Sequence, residues 1–403
     1  MMNLIFDKDK GIELGLILGI FAMPFITFKY ISLLMFCTFG CFFLKKLYKK
    51  EKICFTPIDG YLLIFLLVLI FSAIFSITKN QSMKELFVYI SILLMVFMVT
   101  RSFDKKTLNQ LLMFFIIAAT FVAIYGIYQY LTGAVGGHGW VDVKTNPNLK
   151  ARAYSTMDNP NILAEYLVIA GSLSVALFLN SKNIYRKVFL FGTTGIILLC
   201  LLFTFSRGGW IAFALSMFII LASENKKIIP IAILLGFISL FFLPDVVLDR
   251  IKTIGSVKDS SNAYRFLIWA ASIKMLKDFW ASGVGLGYAA FVKVYPNYTL
   301  AGIKAAHAHN SYLQIAIETG ILGLLAFLMS VLKAYMIGIF NVYKSKDPFF
   351  KRISAASIGA ISGLMVHGMV EHILFDYRVI FSFWFAIAII IASYNNIVFN
   401  KNN

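Results

Sequence analysis

Residues 109–132 read NQLLMFFIIAATFVAIYGIYQYLT, without a single charged side chain. As a helix at 1.5 Å per residue, that stretch is about 36 Å long, enough to cross about 30 Å of hydrocarbon. A barrel strand would need alternating polarity, which the run lacks. Similar runs recur along the whole chain, and the spacing predicts twelve spans: 11–28, 30–44, 60–78, 85–100, 109–132, 161–180, 188–205, 209–222, 228–245, 311–333, 353–371 and 379–396. Composition agrees, because 60% of the residues are hydrophobic, only 14% are charged, and mean hydropathy is +0.82. A soluble chain of this length would have to expose more polar surface. The fold class expected is an all-α polytopic membrane protein, with residues 1–403 forming one integral membrane domain. The first span lacks a following small-residue cleavage site, so it reads as a retained helix.

Orientation follows from lysine and arginine in the short loops. With the N-terminus inside, every inner loop is basic, as in Lys45, Lys46, Lys49, Lys50 and Lys52, or Lys344, Lys346, Lys351 and Arg352. The short outer connections carry isolated cations such as Lys29, Arg207 and Arg378. Both termini are expected in the cytoplasm. Much of the formal +18 charge is this topological signal and implies no nucleic-acid partner. Cys37, Cys41, Cys54 and Cys200 fall in spans or on the inner side, so no disulfide framework is expected, and no zinc spacing occurs.

Two outer loops are long, 133–160 and 246–310, and long loops in compact proteins are usually functional or disordered. Together they hold eleven Lys or Arg against five Asp, on the side where cations are normally scarce. An anionic substrate is the simplest partner for such a basic cavity. In the second loop, Phe266, Trp269, Ile273, Leu276 and Trp280 recur at helical spacing. They predict an amphipathic helix lying along the membrane surface, or equally one packed on the other spans. GVGLG at 283–287 follows this helix rather than a strand, so it reads as a tight turn and not as a dinucleotide loop.

Arg207 sits in FTFSRGGWIAF with only Ser206, Gly208 and Gly209 beside it to make a turn. It reads either as a snorkelling arginine or as a ligand-binding one, and the glycines permit close approach. In AHAHNSYLQIAIETGILG, 306–323, Asn310 or Ser311 can cap the following helix. His309 then lies at the positive end of that helix, which favours a neutral, basic imidazole over imidazolium. His307 is a partner or a bystander. Glu318, inside the span, requires pairing and could orient a polar group there.

These elements together resemble the O-antigen ligase and polymerase superfamily. His309-Asn310, nine residues, then Gly320-Ile321-Leu322-Gly323 is similar to its signature of His-Asn, nine residues and Gly-x-x-Gly. SRGG at 206–209, Arg265-x-x-x-Trp269, GVGLG and NPNILAEY at 159–166 resemble further family elements in the expected order. The resemblance implies a GT-C-like helical core and transfer of a glycan from undecaprenyl diphosphate to an acceptor hydroxyl. It further implies inversion, no cofactor and no metal. It makes His309 the base and places the diphosphate on Arg207 and Arg265, with Arg152, Asn310 and His307 as possible support. The expected partners are the lipid-linked glycan donor, a glycan or lipid acceptor, and membrane lipids. The expected location is the cytoplasmic (inner) membrane, with an extracytoplasmic active site in the 246–310 loop. Glu371 and Asp376, in EHILFDYR, are equal candidates for an acidic residue.

Two alternatives stay open on the sequence. A polymerase extending the lipid-linked chain shares the signature with a ligase, and the complete His-Asn pattern leans towards ligase. A transporter or flippase of lipid-linked glycan would use the same basic outer cavity, but predicts internal repeats and charged sites near the bilayer centre. No repeat is visible.

Overall fold

The computed structural model describes residues 10–102, 104–134, 149, 151–241, 244–252, 260–299 and 302–399. Lys8, Asp142, Lys144, Lys150, Lys258, Asp259 and Lys401 lie outside the described residues. The described residues form α-helices and two short 3-10 turns, without strands. In chain order the helices are α1 (Lys10–Ala22), α2 (Phe28–Tyr48), α3 (Asp59–Ile74), α4 (Lys79–Ser102), α5 (Lys105–Thr132), α6 (Pro160–Asn180), α7 (Ile184–Phe203) and α8 (Arg207–Glu224). They continue with α9 (Ile228–Leu240), α10 (Asp245–Lys252), α11 (Ser260–Phe279), α12 (Tyr288–Val294), α13 (Ser311–Lys344), α14 (Pro348–His367) and α15 (Tyr377–Phe399). This is an all-α polytopic membrane protein.

Among the described residues, nine helices are long and apolar enough to cross a membrane. The other three expected spans are helices too, but α1 and α9 have 13 residues and α3 has 16. Side-chain caps start several of the long helices. Asn159, Asn183, Ser206, Asn310 and Asp347 each accept a backbone N–H of the first turn, and Pro160 and Pro348 occupy positions where a missing N–H costs nothing. α6 and α15 lie at the centre, with 83% of each apolar window buried. α14 packs on α8 and α6, α15 on α4, and α13 on α3, α14 and α15. With lipid outside, burial between apolar helices gains little, so close packing and internal hydrogen bonds hold the bundle together.

Three boundaries differ from the sequence expectation. The span expected at 353–371 ends at His367, because Gly368 and the turn after it leave the helix, so Glu371 and His372 emerge on a loop. The span expected at 228–245 stops at Leu240, ahead of Pro244, whose ring cannot continue a helix. The span expected at 311–333 continues to Lys344, because a break at Gly320 divides it into two segments. Gly320 has φ 72° and ψ 175°, a conformation open to glycine alone.

That break anchors the GVGLG turn. Val284 N and Gly285 N donate to Ile317 O and Glu318 O at 2.8 and 3.1 Å, and Ile321 N donates to Trp280 O at 2.8 Å. Ser82 Oγ holds Leu286 O at 2.6 Å, and Ile77 N donates to Val284 O at 3.1 Å. The turn therefore threads between α13 and the α3–α4 connection, leading the chain back into the bundle as its glycines suggested. The described residues between 245 and 310 consequently form a largely helical cap on the bundle.

The amphipathic helix of that cap is α11, and the residues its periodicity picked out are divided, Leu276 packing inwards and Trp269 bonding to His309 O. Ile268, Ala271 and Met275 pack with Phe291 and Ile317. Phe266, Ile273 and Trp280 remain exposed, at 52%, 46% and 61%. The helix has two apolar faces, one packed on the protein and one exposed, and the larger side chains marked the exposed one.

Candidate active site

Three loop ends meet where α6, α8 and α13 begin. The first is the turn before Arg207. Ser206 caps α8 through Gly209 N, and a Cβ on Gly208 would lie 2.3 Å from the His367 ring. The glycine thus lets the helix start seat directly on α14. Arg152 Nε donates to Thr204 O at 2.7 Å and Arg250 Nε to Phe205 O at 3.4 Å, so two arginines brace this turn.

The second is the start of α13. Asn310 is the cap: its Oδ1 accepts Leu313 N at 3.0 Å while its Nδ2 donates to Met369 O at 2.9 Å. Ser311 instead ties down the 368–373 loop, donating to Glu371 O at 3.0 Å and accepting Ile373 N at 2.9 Å. The pair of residues that starts the helix also places Glu371. His309 itself has φ 47°, an uncommon conformation for a non-glycine residue. Its backbone is pinned on both sides, donating to His307 Nδ1 at 3.2 Å and accepting Trp269 Nε1 at 3.2 Å.

The third is Glu371, buried at 6% exposure. Its Oε1 lies 2.7 Å from His309 Nδ1, and its Oε2 accepts Asn161 Nδ2 at 2.9 Å and Arg265 Nη2 at 3.2 Å. Burial alone would raise this carboxyl, but the hydrogen-bonded His309 and the Arg265 guanidinium hold it well below the usual carboxylate range. As a carboxylate, Glu371 accepts a proton carried on His309 Nδ1, the tautomer that leaves Nε2 free to accept another. Burial pushes His307 down to about 4, so it is a neutral acceptor for the His309 amide.

Arg152, also buried, gives Nη2 to Asn161 Oδ1 at 2.9 Å. Its guanidinium is pushed down to about 9, first by burial and then by Arg250, Arg207 and Arg265. Arg250, Arg207 and Arg265 therefore lie within electrostatic reach of Arg152, as does the Glu371 carboxylate. Such a cluster is stabilised by an anion with several oxygens.

The structure brings His309, Arg207, Arg265, Arg152, Asn310 and His307 into one region. It separates Glu371 from Asp376, which the sequence left equal. Asp376 is engaged in a two-point ion pair with Arg378 at 2.7 and 2.8 Å, and Arg378 also donates to Thr156 O. Arg250 and Asn161 were not singled out as site residues. Arg250 carried no signal beyond the basic excess of its loop, whereas Asn161 was visible inside NPNILAEY. His307 Nε2, His309 Nδ1 and Glu371 Oε1 also form a trio within 4.8 Å, a grouping that could hold a metal ion.

Glu318 finds the pairing that its burial required. It accepts Gly287 N at 3.0 Å and Gln314 Nε2 at 2.7 Å, and Gln314 Oε1 accepts Ala308 N at 2.7 Å. A continuous chain thus runs from the glycine turn to the peptide between the two histidines.

Fold and site define a polytopic membrane protein whose embedded helices present a histidine–carboxylate pair beside an arginine cluster. Residues 192–328 match the family model described as O-antigen ligase, a segment containing Arg207, Arg250, Arg265, His309 and Gly320. The match supports the superfamily resemblance read from the motifs, and the family it names implies a membrane glycosyltransferase type of enzyme. The family implies a lipid-linked glycan and an acceptor as partners in general terms. Comparison with curated proteins gives no match.

Proposed function

We propose that the protein is a GT-C-like, ligase-type glycosyltransferase that moves a glycan from undecaprenyl diphosphate to an acceptor hydroxyl on the outer face of the cytoplasmic membrane. The observation that carries this reading is the 2.7 Å contact of His309 Nδ1 with Glu371, set beside four arginines. His309 Nε2 takes the acceptor proton as the hydroxyl oxygen forms its bond to the anomeric carbon. The bond from that carbon to the diphosphate oxygen breaks on the opposite side, which inverts the centre. Undecaprenyl diphosphate leaves with its developing charge on Arg207 and Arg265, supported by Arg152 and Arg250. Asn161 links the two halves, joining Arg152 to Glu371.

Metal independence is part of the same reading. The His309–Glu371 contact has the length of a charge-assisted hydrogen bond, and a dication in the trio would face Arg265 across Glu371. Transfer is expected to survive EDTA in detergent, measured with an undecaprenyl-diphosphate glycan pool and candidate acceptors. A strict divalent requirement would overturn the arginine account. Glycan moving to a new acceptor reports a ligase, and lengthening of the lipid-linked chain reports a polymerase. A well-folded protein that binds donor but transfers nothing would favour transport. Arg265→Ala and Arg207→Ala are expected to lower kcat/KM by about 10²-fold or more each, weakening donor binding and turnover together.

A further inference from the structure

The far end of the bundle holds a second polar feature. α6 runs from the candidate active site at Asn161 to Asn180, and α14 runs the opposite way from Pro348 to His367. About 30 Å of helix separates the two ends, so the far end lies at the opposite headgroup layer. There a cavity of about 710 Å³ is lined by Lys105, Lys182, Arg186 and Arg352, with Asp347 as the carboxylate among its lining residues.

Two of these cations are already matched. Lys105 Nζ is 2.5 Å from Asp347 Oδ2, and the Arg352 guanidinium grips Glu224 at 2.8 to 3.2 Å. Among the described residues, Lys182 and Arg186 have no carboxylate partner. Arg186 Nη2 donates to the neutral Asn109 Oδ1 at 2.6 Å, and its Nε is buried with no hydrogen-bond partner. α7 begins beside them with a neutral cap, Asn183, so its positive end adds to the field. Leading away from the rim along α7, Ile184, Val188 and Phe191 are exposed at 63%, 63% and 70% on one helical face.

We propose that this cavity is a headgroup site for an anionic phospholipid, with the phosphate on Arg186 and Lys182 and an acyl chain along Ile184, Val188 and Phe191. Basic pockets between helix ends hold acidic headgroups through this combination of charge and apolar flank. The site is independent of glycan transfer.

The test is native mass spectrometry of the full-length protein in detergent with phosphatidylglycerol or phosphatidylcholine. The wild type is expected to retain phosphatidylglycerol over phosphatidylcholine. Lys182→Glu, at an exposed position that should leave folding intact, is expected to lower that retention by about fivefold or more. Arg186→Gln should lower it similarly in preparations that remain monodisperse. Equal retention of the two lipids by the wild type would overturn the proposal, as would full retention by Lys182→Glu. Inorganic phosphate alone serves as the soluble probe: phosphate adducts without lipid adducts would overturn the assignment to a lipid.

Discussion

His309→Ala is expected to lower glycan transfer by about 10²–10⁴-fold, with donor binding close to wild type. The loss should fall on kcat, because the imidazole acts on the acceptor hydroxyl and not on the diphosphate. The fold has little need of the ring, since the backbone N–H and C=O of residue 309 hold it to His307 and Trp269. Glu371→Gln should lower kcat by about 10²-fold or more. An amide can turn its N–H towards Nδ1, which would leave the proton on Nε2 and remove the base. It would also leave Arg265 without its carboxylate. Asp376→Asn is the informative contrast: it weakens the clamp on Arg378, so thermal stability should fall while kcat stays near wild type. Turnover by His309→Ala above about a tenth of wild type would remove the histidine from the role of base. Equal kinetic losses in Glu371→Gln and Asp376→Asn would show that the loop matters only as structure.

Much of this was legible because membrane folding writes its constraints directly into sequence. A segment in lipid must satisfy its own backbone, so an apolar run calls for a helix, and each of the twelve runs contains one among the described residues. His309, Arg207 and Arg265 could be named because each sits at a boundary where a polar group must be explained. Glu371 could be named only as an equal of Asp376, because the helix end before it was not visible. The apolar pattern of 353–371 runs on smoothly, whereas Gly368 and the Asn310–Ser311 clamp turn the chain out earlier. That exit depends on partners 60 residues away in sequence, which no local window contains. Arg250 was hidden for a similar reason, since its meaning comes from the carbonyl of Phe205. The inner face of α11 was not separated from the outer one, because size marks hydrophobicity in a sequence but not direction. Ile268, Ala271 and Met275 are smaller or more flexible than Phe266 and Trp280, and they fit the narrow space against Phe291.

Gly320→Ala is expected to damage stability and catalysis together, which separates its role from that of an ordinary helix glycine. A Cβ there would lie 2.4 Å from Ala281 O and 2.8 Å from Ala281 C, both backbone atoms that a rotamer change cannot move. Its backbone conformation alone disfavours any side chain by about 1–3 kcal/mol. The midpoint of thermal unfolding should fall by about 3 °C or more. The catalytic effect follows from what the break holds in place. Freed carbonyls at Ile317 and Glu318 receive the GVGLG turn, and Glu318 then reaches through Gln314 to the peptide of Ala308. Straightening the helix would pull this chain away from His309, so kcat should fall by about tenfold or more even in protein that remains folded. Gly192→Ala supplies the comparison, because that glycine lies in α7 with open space around its Cβ and should be neutral or slightly stabilising. If Gly320→Ala kept the wild-type midpoint and turnover, the glycine turn would be a passive connection, and the position of His309 would have to be fixed by its nearer partners Asn310, His307, Trp269 and Glu371.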